Sequence, residues 1–370
     1  MYDLAVLGGG VVGCFAALRA AELGLRTILV EARSIFGGAS PRSAGVFTVQ
    51  LDSPLDVELV NQSIELVKKY SKEAWRETGF LQIGREDALE ESIESIRRCG
   101  INYEVLNDEE IMRRWPIFIV ESELIGVYTK HDLSVEPKVL GRELRAALLE
   151  SGVEVAEEVI VTGLKTDSSE IEAVNLSSGL SLSADYYILA LGPWTREILL
   201  SSFKDVEVES FILTCFAFRI DTGRDLDIPS FSDEYLHTYW RPWGTTLVGG
   251  RYDAEFSAKP DVSDAEPPSK FYRTSLKLLR RRLKLDSRAE LVEHMRGPCS
   301  FTNDGMPVFG PLSGLKNAFI IEGLGGYGLM RGPALGYRAA EALALNRELT
   351  EFKHHSPTRI LRPKRRKNDV

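Results

Sequence analysis

Apolar residues at the start of the chain follow a strand pattern and then a helical pattern. Asp3 to Leu7 is a short, mainly apolar run that predicts a strand, and Cys14 to Leu23 repeats apolar residues at helical spacing before Gly24. A second apolar run, Thr27 to Val30, predicts another strand and ends at Glu31. The order strand, helix, strand predicts a βαβ unit in this part of the chain.

Later hydrophobic patterns predict two kinds of sheet. Tyr186 to Gly192 is apolar almost throughout, which is typical of a parallel strand that is buried on both faces. Alternating apolar and polar residues predict an antiparallel sheet from three runs, Phe211–Ile220, Leu236–Tyr239 and Thr245–Gly249. A last apolar strand, Ala318 to Ile321, precedes a glycine-rich segment and a helix from Pro333 to about Leu345.

Length and charge limit the class of protein. A chain of 370 residues predicts two or three structural units. Its net charge of −9 argues against general nucleic-acid binding, and residues 356–370 form a basic tail that we expect to be mobile. No apolar run is long enough to span a membrane. The first strand begins at Asp3, which leaves no room for a signal peptide, so we expect a cytoplasmic protein.

Cysteine and histidine spacing predicts no metal site. The four cysteines are widely separated and form no C-x-x-C pair. The five histidines show no H-E-x-x-H or similar arrangement.

The first predicted turn carries a dinucleotide-binding fingerprint. Gly8, Gly10 and Gly13 form G-x-G-x-x-G between the first strand and the first helix. Gly8 permits the tight turn, Gly10 lets the backbone approach a pyrophosphate, and Gly13 allows close packing of helix and strand. Glu31 ends the second strand, where a carboxylate accepts hydrogen bonds from a ribose diol and disfavours the 2′-phosphate of NADP.

Two further glycine-rich segments suit a ligand that lies close to the backbone. Gly37 to Gly45 contains small residues and hydroxyls, and it follows directly on the nucleotide-binding unit. Gly323 to Met330 lies between a strand and a helix, where free N–H groups favour an anion or a dipole.

Five motifs in order make the chain resemble the flavoproteins of the D-amino acid oxidase superfamily. They are the fingerprint, the loop Gly37–Gly45, Ala190–Trp194, Asp304–Pro307 and the loop Gly323–Met330. The superfamily includes glycine oxidase, sarcosine oxidase, dimethylglycine dehydrogenase and the dye-linked proline dehydrogenases. The resemblance implies an α/β fold with a discontinuous Rossmann-like FAD-binding domain and an α+β substrate domain built on an antiparallel sheet.

The resemblance also implies domain limits and cofactor contacts. The FAD-binding domain is expected at residues 1–80, 137–205 and 295–355, and the substrate domain at 81–136 and 206–294. The last helix would direct its N-terminus at N1 and C2=O of the flavin. FAD would be bound by Gly8, Gly10, Val11, Val12, Gly13, Glu31, Ala32, Arg33, Ser40, Arg42, Ser43, Ala44, Val161, Ala190, Gly192, Trp194, Cys299, Gly323, Leu324, Gly325, Gly326, Tyr327, Gly328, Leu329 and Met330.

Cys299 bears on how FAD is held. The segment Cys299 to Thr302 is similar to the C-x-aromatic-T of sarcosine oxidase, whose cysteine bonds the flavin. The match is imperfect, so we expect non-covalent FAD, with a link through Cys299 as the alternative.

The function implied by the resemblance is oxidation of the C–N bond of a small amine or amino acid, by hydride transfer to flavin N5. The oxidase lysine falls near Val248, which favours a dehydrogenase slightly and leaves the electron acceptor open. Arg296 and Arg241, with Arg331, are candidates to bind a substrate carboxylate. Tyr252 and Tyr327, together with Tyr239, are candidates to position the substrate.

Two alternatives remain at this point. A hydroxy-acid or glycerol 3-phosphate dehydrogenase on the same fold would need a base, for which His237 and His294 are available. The chain would otherwise be the flavin subunit of a heteromeric dehydrogenase that passes electrons to a partner. Homo- or hetero-oligomers are compatible with either.

Overall fold

The structure is a computed structural model that describes residues 1–167, 169–203 and 206–363. The helices are α1 (Val11–Glu22), α2 (Pro54–Tyr70), α3 (Glu86–Arg98), α4 (Asp108–Arg114), α5 (Pro137–Glu150), α6 (Thr195–Ser202), α7 (Ser269–Arg282) and α8 (Gly328–Ala344). Within the described ranges, none of the helices has the length and apolar character needed to cross a membrane.

The strands, in chain order, are β1 (Tyr2–Leu7), β2 (Thr27–Val30), β3 (Val46–Phe47), β4 (Trp75–Glu77), β5 (Phe80–Gly84), β6 (Glu104–Asn107), β7 (Ile125–Thr129), β8 (Leu133–Val135), β9 (Glu154–Ala156), β10 (Val161–Thr166), β11 (Ile171–Leu176), β12 (Ser181–Leu182), β13 (Ala184–Leu189), β14 (Val206–Val208), β15 (Ser210–Asp221), β16 (Ser230–Asp233), β17 (Thr238–Trp243), β18 (Thr246–Arg251), β19 (Ala254–Ser257), β20 (Glu290–Thr302), β21 (Val308–Pro311), β22 (Ala318–Glu322) and β23 (Leu361–Pro363).

A mostly parallel sheet forms the first unit, in the order β21-β22-β13-β1-β2-β9. β1 pairs in parallel with β2 and β13, and only the edge strand β21 is antiparallel. The apolar run that predicted a doubly buried strand is β13, whose last residues Tyr187 to Leu189 are fully buried. The strands of this sheet come from three separate parts of the chain, so the unit is discontinuous as expected.

A large, mainly antiparallel sheet forms the second unit, in the order β19-β15-β18-β17-β16-β5-β7-β6. β15 pairs with β18 and β19 along one edge and with β20 along the other. β20 extends to Thr302, so the domain limit expected at residue 295 falls inside a strand of this sheet. The predicted fold class, an α/β unit combined with an antiparallel sheet, is confirmed.

Helix α8 packs on α1 at two glycines. A Cβ on Gly336 would lie 2.1 Å from the carbonyl oxygen of Val12, and one on Gly332 would lie 2.6 Å from the Val11 side chain. The helix begins at Gly328 and not at Pro333, the expected start. Proline is favoured at the first helical position, yet here it lies in the second turn, where it removes a single N–H donor.

Residues 356–363 of the basic tail are paired with the rest of the protein. Residues 356–363 include β23, which pairs with β14, and Arg359 forms an ion pair with Asp304 at 2.5 Å. This part of the tail is therefore fixed to the protein, contrary to expectation, because its pairing satisfies backbone groups of both strands. Residues 364–370 lie outside the described residues.

A buried cation joins the two units. Arg241 on β17 is fully buried, and its Nε donates to the carbonyl oxygen of Ala44 in the loop before β3. Its Nη2 donates to Glu136 at 3.2 Å, and Arg219 donates to the same carboxylate oxygen at 2.9 Å. Since Glu136 directly precedes α5, these bonds fix the large sheet to the cofactor-side unit.

We predict that Arg241→Met lowers the free energy of unfolding by about 3–5 kcal/mol, because it leaves the Ala44 carbonyl and part of the Glu136 charge buried without a partner. Urea unfolding measures the change. Arg288→Met is the matched control, since Arg288 forms an ion pair with Asp286 while its side chain is 87% exposed; we expect its effect to stay within about 0.5 kcal/mol. Equal midpoints for the two variants would contradict the role of Arg241.

Candidate functional site

A cavity of about 780 Å³ lies where the parallel strands end, between them and the large sheet. Gly8, Glu31, Ala190 and Gly323 follow β1, β2, β13 and β22 directly, and all four line it. In open α/β sheets, ligands bind at the carboxyl ends of the strands, and this cavity occupies that position.

The fingerprint glycines are placed as their spacing predicts. Gly8 has φ of 106°, and a Cβ there would lie 2.4 Å from the carbonyl oxygen of Ala190. Gly13 contacts Gly8 so closely that a Cβ would lie 1.8 Å from its carbonyl oxygen. Gly10 is different: a Cβ there would meet only the Ser40 hydroxyl, at 3.2 Å, so this backbone faces open space.

Glu31 is positioned by the backbone around it. It is buried, and its Oε2 accepts the N–H of Gly9 at 2.7 Å while its Oε1 accepts the N–H of Arg33 at 2.9 Å. These bonds hold the carboxylate against the cavity. Each oxygen keeps a second lone pair that a ligand hydroxyl can use.

The loop that follows β2 closes the same end of the cavity. The Ser40 hydroxyl accepts the N–H of Val11 at 3.0 Å, at the first turn of α1. Arg42 donates to the carbonyl oxygen of Gly38 at 2.9 Å. The guanidinium of Arg33 lies 5.3 Å from the ring centroid of Trp194, so cation and indole form one wall.

Helix α8 contributes a second N-terminus to the cavity. Its first residues and the preceding 3-10 turn, Gly325 to Tyr327, line the cavity. Since the first-turn N–H groups of a helix have no intrahelical partner, this end offers donors and a partial positive charge to a ligand.

The cavity brings together all but one of the residues predicted to contact the cofactor. Those that line it are Gly8, Gly10, Val11, Val12, Glu31, Ala32, Arg33, Ser40, Arg42, Ser43, Ala44, Val161, Ala190, Gly192, Trp194, Cys299 and every residue from Gly323 to Met330. Gly13 is the exception, because it is packed against Gly8 beneath the turn.

The other side of the cavity is the inner face of the large sheet. Strand register places Gln82, Ser232 and Tyr239 side by side on three neighbouring strands, and we call them the polar row. Beyond the row, Tyr252 donates to Oε1 of Glu234 at 3.1 Å. All five residues line the cavity.

Aromatic rings complete this end. The rings of Tyr239 and Tyr252 are stacked with centroids 5.6 Å apart, and Tyr327 approaches from the α8 side. Burial raises the pKa of all three phenols, so each is protonated near neutral pH and can donate a hydrogen bond.

Arg296 does not line the cavity, which corrects the expectation for this residue. Its partner across the ladder is Phe216, whose ring stacks on Phe271 of α7 on the outer face of the sheet. Because side chains alternate along a strand, Arg296 lies on the face opposite to Gly297. Its guanidinium forms an ion pair with Asp261 at 3.0 Å.

Four other predicted residues also lie outside the lining. Arg241 shares the inner face with Tyr239, but it is buried beneath Ala44 and bound to Glu136, so it is a structural cation. Arg331 forms an ion pair with Asp56 at 2.7 Å. Neither His237 nor His294 is among the described residues that line the cavity.

Several lining residues escaped the sequence reasoning, among them Gln50, Gln82, Ser232 and Glu234. The sequence signal that could have identified two of them is a glutamine within an otherwise mainly apolar run, at Gln50 and at Gln82. Gln50 shows how such a residue is used, since its amide donates to the carbonyl oxygens of Phe80 and Val127.

Cys215 was also missed, and it lies next to Cys299. Both cysteines line the cavity. The neighbouring Cys215 thiol, together with burial, raises the pKa of Cys299 well above its usual value. The neighbouring Cys299 lowers the pKa of Cys215.

The site fits a dinucleotide. The open backbone at Gly10, the fixed carboxylate of Glu31 and two helix N-termini are the features that a pyrophosphate, a ribose and an electron-accepting ring system require. Among the described residues, no three histidine, cysteine, aspartate or glutamate side chains are grouped so as to hold a metal ion.

Curated proteins similar to this chain include two mitochondrial dehydrogenases. The chain is 22% identical over 366 residues to human mitochondrial dimethylglycine dehydrogenase, and the match covers 90% of this chain and 41% of the relative. Mouse mitochondrial sarcosine dehydrogenase is 23% identical, with 96% and 42% covered. The chain thus spans about two fifths of the length of these curated relatives.

Solved structures share the fold. L-proline dehydrogenase from P. horikoshii superposes with a TM-score of 0.87 at 20% identity, covering 96% of this chain and 97% of that one. Glycine oxidase from Bacillus cereus superposes with a TM-score of 0.79 at 21% identity, covering 99% of both chains.

The sequence profile of the family described as "FAD dependent oxidoreductase" (DAO) matches residues 3–342. With the cavity at the strand ends and the motifs in their expected places, the chain belongs to the DAO family of FAD-dependent oxidoreductases.

Proposed function

We propose that this protein binds FAD and oxidises the C–N bond of a small amine or amino acid. The proposal rests on one observation, which is that the two walls of a single cavity suit two different ligands. One wall has the donors and the carboxylate that suit a dinucleotide, and the other has a carboxylate and tyrosine hydroxyls that suit an amine. The chemistry that FAD supplies when bound is acceptance of a hydride from the carbon beside the substrate nitrogen.

The fingerprint side would hold the ADP half. The N-terminus of α1 and the backbone at Gly10 would contact the pyrophosphate, and Glu31 would accept the ribose hydroxyls. The Ser40 hydroxyl, now bonded to the N–H of Val11, would exchange that bond for one to a phosphate oxygen. Arg33 and Trp194 would enclose the adenosine.

The α8 side would hold the flavin. Gly323 to Met330 bring backbone N–H groups to the cavity, and the partial positive charge of the α8 N-terminus favours negative charge there by about 1 kcal/mol. This end of the cavity would therefore stabilise negative charge on the part of the flavin that it contacts.

Glu234 would bind the substrate nitrogen. Tyr252 and Gln82 both donate to its Oε1, at 3.1 and 3.4 Å, so Oε2 keeps its lone pairs for a substrate N–H. The stacked rings of Tyr239 and Tyr252 would exclude water beside it and hold the substrate carbon in place.

The alternatives receive less support. A hydroxy-acid dehydrogenase needs a base for the hydroxyl proton, and among the described residues no histidine lines the cavity. No lysine among the described residues lines the cavity either, and Val248, near which the oxidase lysine falls, is fully buried. On the family pattern, this favours a dehydrogenase over an oxidase. The cytoplasmic location stays a prediction.

The test of this function is an anaerobic screen in which bleaching of the bound flavin is followed with amino acids, N-methyl amines and hydroxy acids. We expect bleaching by members of the first two classes. Bleaching by hydroxy acids alone would overturn the proposal. Reoxidation of the bleached protein by oxygen and by an artificial acceptor then separates an oxidase from a dehydrogenase.

Gly10→Leu should abolish FAD binding and leave the fold intact. Residue 10 has an extended conformation that leucine adopts freely, and its side chain would project into the pyrophosphate position. The measurement is the flavin-to-protein absorbance ratio after purification, with circular dichroism as the check on folding. Full FAD occupancy in this variant would disprove the assignment of the cavity.

Glu234→Gln should raise the KM for an amine substrate about 10- to 100-fold, since a hydrogen bond to a charged group is worth about 1.5–3 kcal/mol. Glu255→Gln is the control. Glu255 lies on the edge strand β19, forms an ion pair with Lys270 of α7 and does not line the cavity. The KM is measured by steady-state kinetics. An unchanged KM in Glu234→Gln would show that Glu234 does not bind the substrate nitrogen.

We propose that FAD is held without a covalent bond. A thioether to the flavin requires a thiolate, and the neighbouring Cys215 thiol together with burial raises the pKa of Cys299, which disfavours the thiolate. Acid precipitation should therefore leave the yellow colour in the supernatant. Colour in the pellet that disappears in Cys299→Ser would establish the cysteinyl link instead.

A further inference from the structure

The substrate side of the cavity carries a negative charge that has no cationic partner. Glu234 lines the cavity, and the contacts of its carboxylate are hydrogen bonds from Tyr252 and Gln82. No basic side chain of the described residues forms an ion pair with it. Tyr252 and Tyr327, which line the same side, are each 47% exposed, so a small molecule can reach this charge.

Every basic side chain in the cavity lining already has a partner. The described lining contains three arginines and neither lysine nor histidine. Arg33 lies against the ring of Trp194 on the cofactor side. Arg42 donates to two backbone carbonyl oxygens, and Arg251 forms an ion pair with Asp253 at 3.1 Å. Since Asp253 lines the cavity as well, this last pair adds no net charge to it.

A buried cation next to Tyr327 is neutralised as well. The guanidinium of Arg331 lies 4.7 Å from the Tyr327 ring centroid and forms an ion pair with Asp56 at 2.7 Å. A substrate carboxylate on this side of the cavity would therefore face Glu234 without an unpaired cation to bind. Like charges at short range repel, and a carboxylate that leaves water without a cationic partner is destabilised.

A buried amide adds a hydrogen-bond acceptor to the same side. Gln50 lines the cavity and is 3% exposed, and its Nε2 donates to the carbonyl oxygen of Phe80, which lies on β5 with Gln82. Its Oε1 has no hydrogen-bond partner among the described residues. Leaving a buried acceptor unpaired is unfavourable, so this atom favours a ligand that donates. An ammonium group has only donors, whereas a carboxylate has only acceptors.

A second carboxylate extends the negative charge toward solvent. Asp52 is exposed and directly follows Leu51, which lines the cavity. Partial burial raises the pKa of Asp52, the charge of Glu234 raises it further, and the charge of Arg331 offsets part of this effect. The two carboxylates are therefore within electrostatic range of each other, and a cation between them would relieve their repulsion.

We propose that the substrate is a cationic amine without a carboxylate group, and that a diamine suits the site best. Glu234 accepts an N–H of the reacting nitrogen, Gln50 offers a further acceptor, and Asp52 attracts the second ammonium group at the mouth of the cavity. This assignment rests on the proposed function, because it takes Glu234 as the group that binds the substrate nitrogen.

The product then differs from that of an amino acid. The reacting ammonium group loses one proton to water, and the carbon beside it gives up a hydride, which carries two electrons to FAD. The remaining iminium ion develops its positive charge beside Glu234, which stabilises it. Water adds to the carbon, and the ammonium ion leaves. A diamine thus gives an aminoaldehyde, where an amino acid would give a 2-oxo acid.

The experiment compares ligands that differ in the charge of one end, using the holoprotein without oxygen. The pairs are 1,4-diaminobutane with 4-aminobutanoate, and prolinamide with proline. Flavin bleaching is followed by stopped flow over a range of concentrations, which gives an apparent Kd and a limiting rate for each ligand. We expect the diamine and the amide to have apparent Kd values at least about tenfold lower than those of the matching acids, because like charges across a binding contact are strongly unfavourable.

Asp52→Asn tests the second contact. It should reduce the preference for 1,4-diaminobutane over butylamine about two- to fivefold, since an exposed ion pair contributes little more than this. Glu255→Gln is the control and should keep the preference of the unmodified protein, because Glu255 does not line the cavity.

Tighter binding of the acids, or equal binding within each pair, would overturn this substrate class and leave the proposed oxidation of amino acids in place. An unchanged preference in Asp52→Asn would overturn the assignment of a diamine. If no amine and no amino acid bleached the flavin, the proposed function and this inference would both be wrong.

Discussion

The close packing of α8 on α1 is the constraint on which the rest of the molecule depends. Gly336 leaves no room for a side chain against the Val12 carbonyl, so the helices approach until their backbones touch. The two helices lie more than three hundred residues apart in the chain, yet their contact brings both N-termini to the same edge of the parallel sheet. A cavity with two sets of free N–H donors follows from that contact.

The large sheet needs a fixed position over this edge, and buried polar contacts supply it. Arg241 reaches from β17 to the Ala44 carbonyl and to Glu136, which lie on the cofactor side. A cation in this environment is costly unless every partner is in place, so the contact tolerates only one arrangement of the two units. That arrangement places the polar row opposite the α8 N-terminus.

The two walls of the cavity are built by different means. Loops at strand ends form the cofactor side. Their backbone atoms would make most of the contacts to the cofactor, which is why the motifs on this side are short and glycine-rich. Side chains from several strands form the proposed substrate side, where Gln82 and Ser232 depend on register and Glu234 directly follows β16.

The sequence by itself determined the cofactor half of this protein. Gly8, Gly10, Gly13 and Glu31 lie within one βαβ unit, where local geometry follows from residue type and spacing, and the loops at Gly37 and Gly323 keep their order along the chain. Tertiary structure alone decided the substrate half. Arg296 faces outward because its partner in the ladder is Phe216, and Arg241 is buried because Ala44 and Glu136 cover it. Cys215 meets Cys299, and Tyr252 meets Glu234, only through strand pairing, because a face or a partner is a property of register that no single segment encodes.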